Sequence, residues 1–118
     1  MTGERCTGVA LLYSDRPDPR WPISARQVEQ LQVLWHRLPK AGQIALRPPP
    51  PLGYRGAVVE CSSGRRWWAY HGIAELRSGD TVLEYRLDTE CEFEKAIAAT
   101  APVGLLPAGT IPPSPDGL

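Results

Sequence analysis

A dense group of cations and aromatic rings near the middle of the chain is the first candidate for chemistry. Its members are Arg65, Arg66, Trp67, Trp68, Tyr70 and His71, together with Tyr54 on the preceding segment. Exposed cations and flat rings can stack on nucleic-acid bases or hold a peptide. Neighbouring strand residues point to opposite faces of a sheet, so each face should carry one tryptophan of the pair. An uncovered tryptophan would be a binding anchor, and the alternative is that a loop or the tail covers it.

A proline-rich segment from Asp15 to Pro22 is the second candidate for binding. Its recognition residues would be Arg16, Asp18, Arg20 and Trp21. Residues before proline are restricted to extended conformations, so this loop should be stiff and should lose little entropy when a partner binds. The alternative is a structural corner in which Trp21 packs against the following helix near Val28.

A cysteine near a helix start raises the question of thiol catalysis. Cys91 would lie in the first turn of a predicted helix, where backbone amides favour a thiolate, and His71 or His36 could act as a base. Three glutamates of the same segment would instead raise the pKa of the thiol. They are Glu90, Glu92 and Glu94. We therefore predict no catalytic residues.

The spacing of the histidines and cysteines does not match a metal site. Two histidines and three cysteines, Cys6, Cys61 and Cys91, are widely scattered, and no glycine-rich phosphate loop precedes a helix. The sequence predicts no metal and no cofactor. An odd number of distant cysteines also favours reduced thiols over a disulfide framework.

Composition and charge narrow the class of protein. The 118 residues suffice for one hydrophobic core, and 42% hydrophobic with 22% charged residues is typical of a folded domain. Thirteen basic residues balance thirteen acidic ones, which lowers the expectation of nucleic-acid binding. We find no apolar run long enough for a membrane span and no apolar segment behind a basic start, so we predict a cytoplasmic protein without membrane contact.

Proline clusters divide the chain into its elements. They lie at Pro17–Pro22, Pro48–Pro51 and Pro102–Pro115. The apolar run Thr7–Tyr13 predicts a strand. A helix should begin after Ser24, whose side chain forms a capping box with Gln27, and should end at Pro39.

Three further strands and a second helix follow the second proline cluster. The strands are predicted over Tyr54–Cys61, Arg66–Leu76 and Val82–Leu87, with a bulge at Gly72 in the middle one. A second helix should then be capped by Asp88 or Thr89, bury Phe93, Ala96 and Ile97, and end at Pro102.

These elements combine most economically as an α+β fold. We predict a four-stranded, mostly antiparallel sheet with two helices packed on one face, in the order strand, helix, three strands, helix. The domain would span residues 1–102. Residues 103–118 would form a Pro- and Gly-rich tail, docked in part through Val103, Leu105 and Leu106.

Three functional hypotheses follow from these residues. The leading one is a non-enzymatic accessory, adaptor or inhibitor-like module that binds another protein, or itself, through the aromatic-basic face and the proline-rich loop. The first alternative is a single-stranded nucleic-acid binder that uses Arg65, Arg66, Trp67, Trp68 and Tyr70. The second is a small-molecule binder or enzyme with a pocket between sheet and helices.

Overall fold

One six-stranded antiparallel sheet and two helices form this α+β protein. The structure is a computed structural model and describes residues 4–13, 16–42 and 53–107. In chain order the elements are β1 (Cys6–Ala10), β2 (Arg20–Ile23), α1 (Ala25–Arg37), β3 (Ala57–Cys61), β4 (Arg65–Tyr70), β5 (Ile73–Ser78), β6 (Thr81–Leu87) and α2 (Glu92–Ala99). The strands lie in the order β2-β1-β3-β4-β5-β6. The predicted class is confirmed, but the predicted count of four strands is wrong.

The first extra strand, β2, lies within the segment predicted to be a loop. Trp21 and Ile23 are buried and alternate with exposed Arg20 and Pro22, which is the pattern of a strand with one covered face. Pro22 donates no hydrogen bond, but β2 is an edge strand, where proline is tolerated. The first residue of the predicted loop, 15, lies outside the described residues.

The second extra strand arises because the predicted strand Arg66–Leu76 folds back on itself. Tyr70 of β4 pairs with Ile73 of β5, which leaves a two-residue turn at His71 and Gly72. Both turn residues have positive φ, 53° and 91°, the requirement of a type I′ hairpin turn. The predicted bulge at Gly72 is therefore wrong, and the glycine is half of a turn.

Both helices are confirmed, and their caps explain where they begin. Ser24 and Gln27 form the predicted capping box of α1, and that helix ends before Pro39. Cys91 occupies the N-cap position of α2. The Asp88 carboxylate, however, accepts hydrogen bonds from two backbone amides in the first turn of the helix. It receives hydrogen bonds from the N–H groups of Phe93 and Glu94, both at 3.0 Å. Asp88 thus caps α2 as predicted, but from outside the N-cap position.

The core lies between the sheet and the helices. Trp67 of β4 contacts Trp35 of α1 and Phe93 of α2, with ring centroids 6.3 and 5.7 Å away. All three residues are buried. Both helices therefore cover the sheet face that Trp67 occupies, as predicted.

A buried arginine joins the sheet to the end of α1. The Arg86 guanidinium donates hydrogen bonds to the carbonyls of Trp35, His36 and Leu38, at 3.0 to 3.4 Å. It also pairs with Glu84 at 3.0 Å. The Trp35 carbonyl also accepts the Leu38 amide at 3.1 Å, so Arg86 adds to the hydrogen bonds that satisfy the end of the helix.

The C-terminal segment is anchored through one of its three predicted contacts. Leu106 packs against the core, whereas Val103 is fully exposed and Leu105 has 38% of its surface exposed. Residues 108–118 of the predicted tail lie outside the described residues. Among the described residues, neither helix is both long and apolar enough to cross a membrane.

The prediction that the cysteines are reduced is wrong for two of them. Cys6 and Cys61 face each other on β1 and β3 and form a disulfide. The sequence shows both residues but not the strand register that makes them partners, and connectivity depends on that register.

Replacing Gly8 with alanine should lower the free energy of unfolding by about 1–3 kcal/mol, the usual cost of overpacking a core. An added Cβ at Gly8 would lie 2.4 Å from the indole of Trp21, which is buried against it. Urea unfolding of the Gly8→Ala variant measures the loss. An unchanged midpoint would contradict this packing.

Candidate functional site

The two neighbouring tryptophans of β4 lie on opposite faces of the sheet. Trp67 points toward the helices, and Trp68 points to the other side, which we call the far face. In the register, Trp68 lies between Val58 of β3 and Glu75 of β5. Val58 and Glu75 are buried, whereas Trp68 is partly exposed. The far face therefore presents an indole ring at its surface.

Three further aromatic side chains extend this ring into a continuous patch. Trp68 stacks on Tyr70, with ring centroids 5.9 Å apart and planes 28° from parallel. Tyr70 in turn contacts Tyr54 at 5.9 Å and the exposed His71 at 5.8 Å. We call these four residues the aromatic strip. The structure brings together four of the residues that the sequence singled out.

The polar edges of the strip already have partners within the chain. Trp68 Nε1 donates to the Arg55 carbonyl at 3.0 Å, and the Tyr54 hydroxyl donates to Glu94. Gly56 allows the first contact, because a Cβ there would lie 2.5 Å from Trp68 Nε1. These two residues therefore offer their ring faces, and not their hydrogen-bonding edges, to a ligand.

A buried carboxylate fixes the strip to the second helix. Glu94 is fully buried and accepts hydrogen bonds from the Tyr54 hydroxyl and from the His71 amide, the latter at 3.2 Å. Burial raises the pKa of Glu94 above its ordinary value, and the negative charge of Asp88 adds to that effect. Glu94 thus positions two members of the strip without reaching the surface itself.

The arginines beside the strip are paired with acids. Arg66 lies 3.7 Å from Glu60, which also binds Arg20 at 2.9 Å. Arg65 pairs with Glu4 at 2.6 Å and lies over the Trp67 ring, so it belongs to the helix side of the sheet. The predicted basic patch is therefore divided between two faces and neutralised.

The residues of the proline-rich segment have partners within the chain, some of them local and some distant. The Asp18 carboxylate accepts hydrogen bonds from the amides of Leu12 and Tyr13, both at 2.7 Å, and so shapes the chain before it. Arg16 lies over the Tyr13 ring at 4.0 Å. Trp21 is buried, and its Nε1 donates to the Thr100 hydroxyl at 2.8 Å. Trp21 and Trp67 are core residues and do not belong to the surface site.

Sequence reasoning missed Glu94 as part of the site. It lies three positions before Ile97, on the same apolar stripe of α2 that buries Ile97. A glutamate on a buried stripe needs a hydrogen-bonding partner. Its position on that stripe was the sequence feature that could have indicated a role in the site. Its partner Tyr54 is 40 residues away, a separation that no local pattern connects.

Cys91 lies beneath this site and is buried. Burial raises the pKa of its thiol to about 11, and the negative charges of Glu94 and Asp88 act in the same direction. A buried thiol that stays protonated is a poor nucleophile.

The Cys91 thiol should make the fold less stable in alkaline solution. The folded chain keeps this proton up to a pKa of about 11, whereas the unfolded chain releases it near 9.0. The unfolded state then binds fewer protons, so the free energy of unfolding should fall as pH rises between these values. Urea titrations over that range test this, and the slope should be smaller in Cys91→Ala. An equal slope in both proteins would contradict the assignment.

Part of the space where a ligand pocket was predicted is occupied by aromatic rings. Between sheet and helices lie the rings of Trp35, Trp67 and Phe93. A hollow of about 240 Å³ opens instead between α1 and α2, lined in part by Leu34 and Ala96. Its lining also includes Thr100, whose hydroxyl accepts a hydrogen bond from Trp21 Nε1 and donates one to the Ile97 carbonyl.

No protein-family model matches this chain, and comparisons with curated proteins and with solved structures gave no match either. The function is therefore argued from the geometry of the site.

Proposed function

We propose that this protein is a non-enzymatic interaction module that binds another protein through the aromatic strip. The observation that carries the proposal is the partly exposed stack of Trp68 on Tyr70, on the sheet face opposite the helices. Tryptophan and tyrosine dominate the binding energy of protein interfaces. Held in place by strand, turn and helix, these rings would lose little conformational entropy on binding.

The chemistry of the strip favours an apolar or aromatic side chain as the group it recognises. Trp68 and Tyr54 have used their donors internally, so hydrogen bonds to a partner backbone would have to come from elsewhere. The ring faces remain available for stacking and apolar contact. Arg66 and Glu60 at the side of the strip would form a polar rim around this contact.

Single-stranded nucleic acid is less well supported as a ligand. Stacking on bases would suit the rings, but affinity for nucleic acid depends on cations that reach phosphates. Arg65, Arg66 and Arg20 are each paired with a carboxylate. We expect Trp fluorescence to remain unchanged when oligothymidine is added at low salt, and salt-sensitive quenching would support the nucleic-acid alternative.

Site-specific photo-crosslinking tests the proposed interface. A photoreactive amino acid at position 66 lies beside Trp68 on the far face, and the same group at position 33 provides the matched control on exposed α1 surface. In an extract of the source cells, position 66 should yield a discrete adduct that position 33 does not. The additional change Trp68→Ala should reduce that adduct about tenfold or more, as expected for a hot spot.

Two results would contradict this function. One is equal labelling at both positions, and the other is an adduct that persists unchanged in the Trp68→Ala background. An adduct of twice the chain mass would assign the strip to self-association instead of another protein.

A further inference from the structure

Backbone contacts, as well as the disulfide bond, keep Cys6 and Cys61 next to each other. The two residues are direct partners in the β1–β3 register, with Cα atoms 4.0 Å apart. Next to them the Ser62 amide donates to the Arg5 carbonyl at 2.7 Å, and the Arg5 amide donates to the Ser62 hydroxyl at 3.0 Å. These ties do not depend on the disulfide, so the sulfur atoms should remain neighbours after reduction.

The two sulfur-bearing residues differ in exposure. Cys6 is buried, with 5% of its surface exposed, whereas Cys61 is partly exposed and is followed by the exposed turn residues Ser62 and Ser63. Access decides which sulfur of a disulfide an incoming thiolate attacks. Cys91 is buried near the start of α2, and burial raises the pKa of its thiol, so it is poorly suited to compete as a nucleophile.

We propose that this pair is a reversible thiol–disulfide exchange site whose point of attack is Cys61. The co-reactant is a small-molecule thiol. Its thiolate forms a bond to Cys61 Sγ, the Cys6–Cys61 bond breaks, and the electron pair of that bond leaves on Cys6 Sγ. The product is a mixed disulfide on Cys61 and a thiolate on Cys6, which becomes a thiol by taking up, through water, the proton that the incoming small thiol released. A second small thiol can then release Cys61 as a thiol, with the small molecule leaving as its own disulfide.

The sheet provides the reverse step. Cys6 stays opposite Cys61 in the ladder, so its thiolate can attack the mixed disulfide and expel the small thiol. Tethered groups of this kind face each other at an effective concentration of about mM or more. Reclosure should therefore be intramolecular, and its rate should not depend on the protein concentration.

Wild-type protein and reduced glutathione provide the first test. After exposure to excess glutathione, acid quenching and peptide mass analysis, the glutathione adduct should lie on Cys61 and not on Cys6. The far-ultraviolet circular dichroism should be unchanged, and exchange of reduced glutathione for oxidised glutathione, which is the oxidant, should restore the disulfide. An adduct mainly on Cys6, a pair that excess glutathione leaves untouched, or loss of the fold on reduction would each overturn the proposal.

A matched pair of variants tests the asymmetry separately. Cys6→Ser and Cys61→Ser both lack the disulfide, so a general loss of stability affects them alike. The thiol of Cys61 in the first variant should react with a chromogenic disulfide at least about tenfold faster than that of Cys6 in the second, because access controls the reaction. Equal rates in two variants that retain the native circular dichroism would contradict the assignment of Cys61.

Discussion

Replacing Trp67 with alanine should lower the free energy of unfolding by about 3–5 kcal/mol, the range for a large aromatic ring removed from a core. The ring is buried between α1 and α2, against Trp35 and Phe93. Its removal takes away the contact that both helices share with the sheet. Urea unfolding followed by circular dichroism measures the loss.

The neighbouring residue provides the matched control. Trp68 is the same residue type on the same strand, but it is partly exposed on the far face. Since less of its surface leaves water on folding, Trp68→Ala should cost less than half as much as Trp67→Ala. Equal losses would mean that both rings are core residues, and a larger loss at Trp68 would reverse the assignment of the two faces.

Replacing Arg86 with methionine should lower the free energy of unfolding by about 3 kcal/mol, since a buried, charged donor to three carbonyls is removed. Methionine preserves much of the side-chain length but donates no hydrogen bond to the carbonyls of Trp35, His36 and Leu38. The end of α1 would then lose these three hydrogen bonds and keep only the one from the Leu38 amide to the Trp35 carbonyl. Denaturant unfolding measures the total, and hydrogen exchange at the last turn of α1 should increase.

The same substitution at an exposed arginine provides the control, because it removes a positive charge without removing buried hydrogen bonds. Arg20 pairs with Glu60, but its side chain is 58% exposed. Exposed pairs of this kind contribute about 0–1 kcal/mol, so Arg20→Met should change little. Similar losses in the two variants would contradict a special role for Arg86.

The elements that the sequence predicted well are those with local signals. For α1, a capping box at Ser24, apolar residues at helical spacing and a stop at Pro39 all lie within one segment, and the helix is where they placed it. The same holds for α2, whose cap at Asp88 and buried Phe93 and Ile97 were anticipated.

Strand boundaries were harder to predict from the sequence, because they depend on pairing with distant segments of the chain. The strand β2 exists because Trp21 packs over Gly8 of β1, and a short segment containing proline gives no such indication on its own. The turn at His71 and Gly72 was missed because the pairs that signal a type I′ turn are Asn-Gly, Asp-Gly and Gly-Gly, and His-Gly is not among them.

The site was predictable only in part for the same reason. Alternation along β4 predicts that Trp67 and Trp68 lie on opposite faces, but which face the helices cover is a tertiary property. The contact of Tyr54 with Tyr70, the hydrogen bond from Tyr54 to Glu94, and the Cys6–Cys61 bond all join distant parts of the chain. Only the sheet register brings these groups together.

Acrylamide quenching of tryptophan fluorescence tests most directly whether the aromatic strip is available to a partner. The chain has four tryptophans, of which Trp21, Trp35 and Trp67 are buried and Trp68 is partly exposed. We expect wild type to show a quenchable component that disappears in Trp68→Phe and persists in Trp21→Phe and Trp67→Phe. Quenching that is unchanged in Trp68→Phe would mean that the strip is covered, and it would contradict the proposed interface.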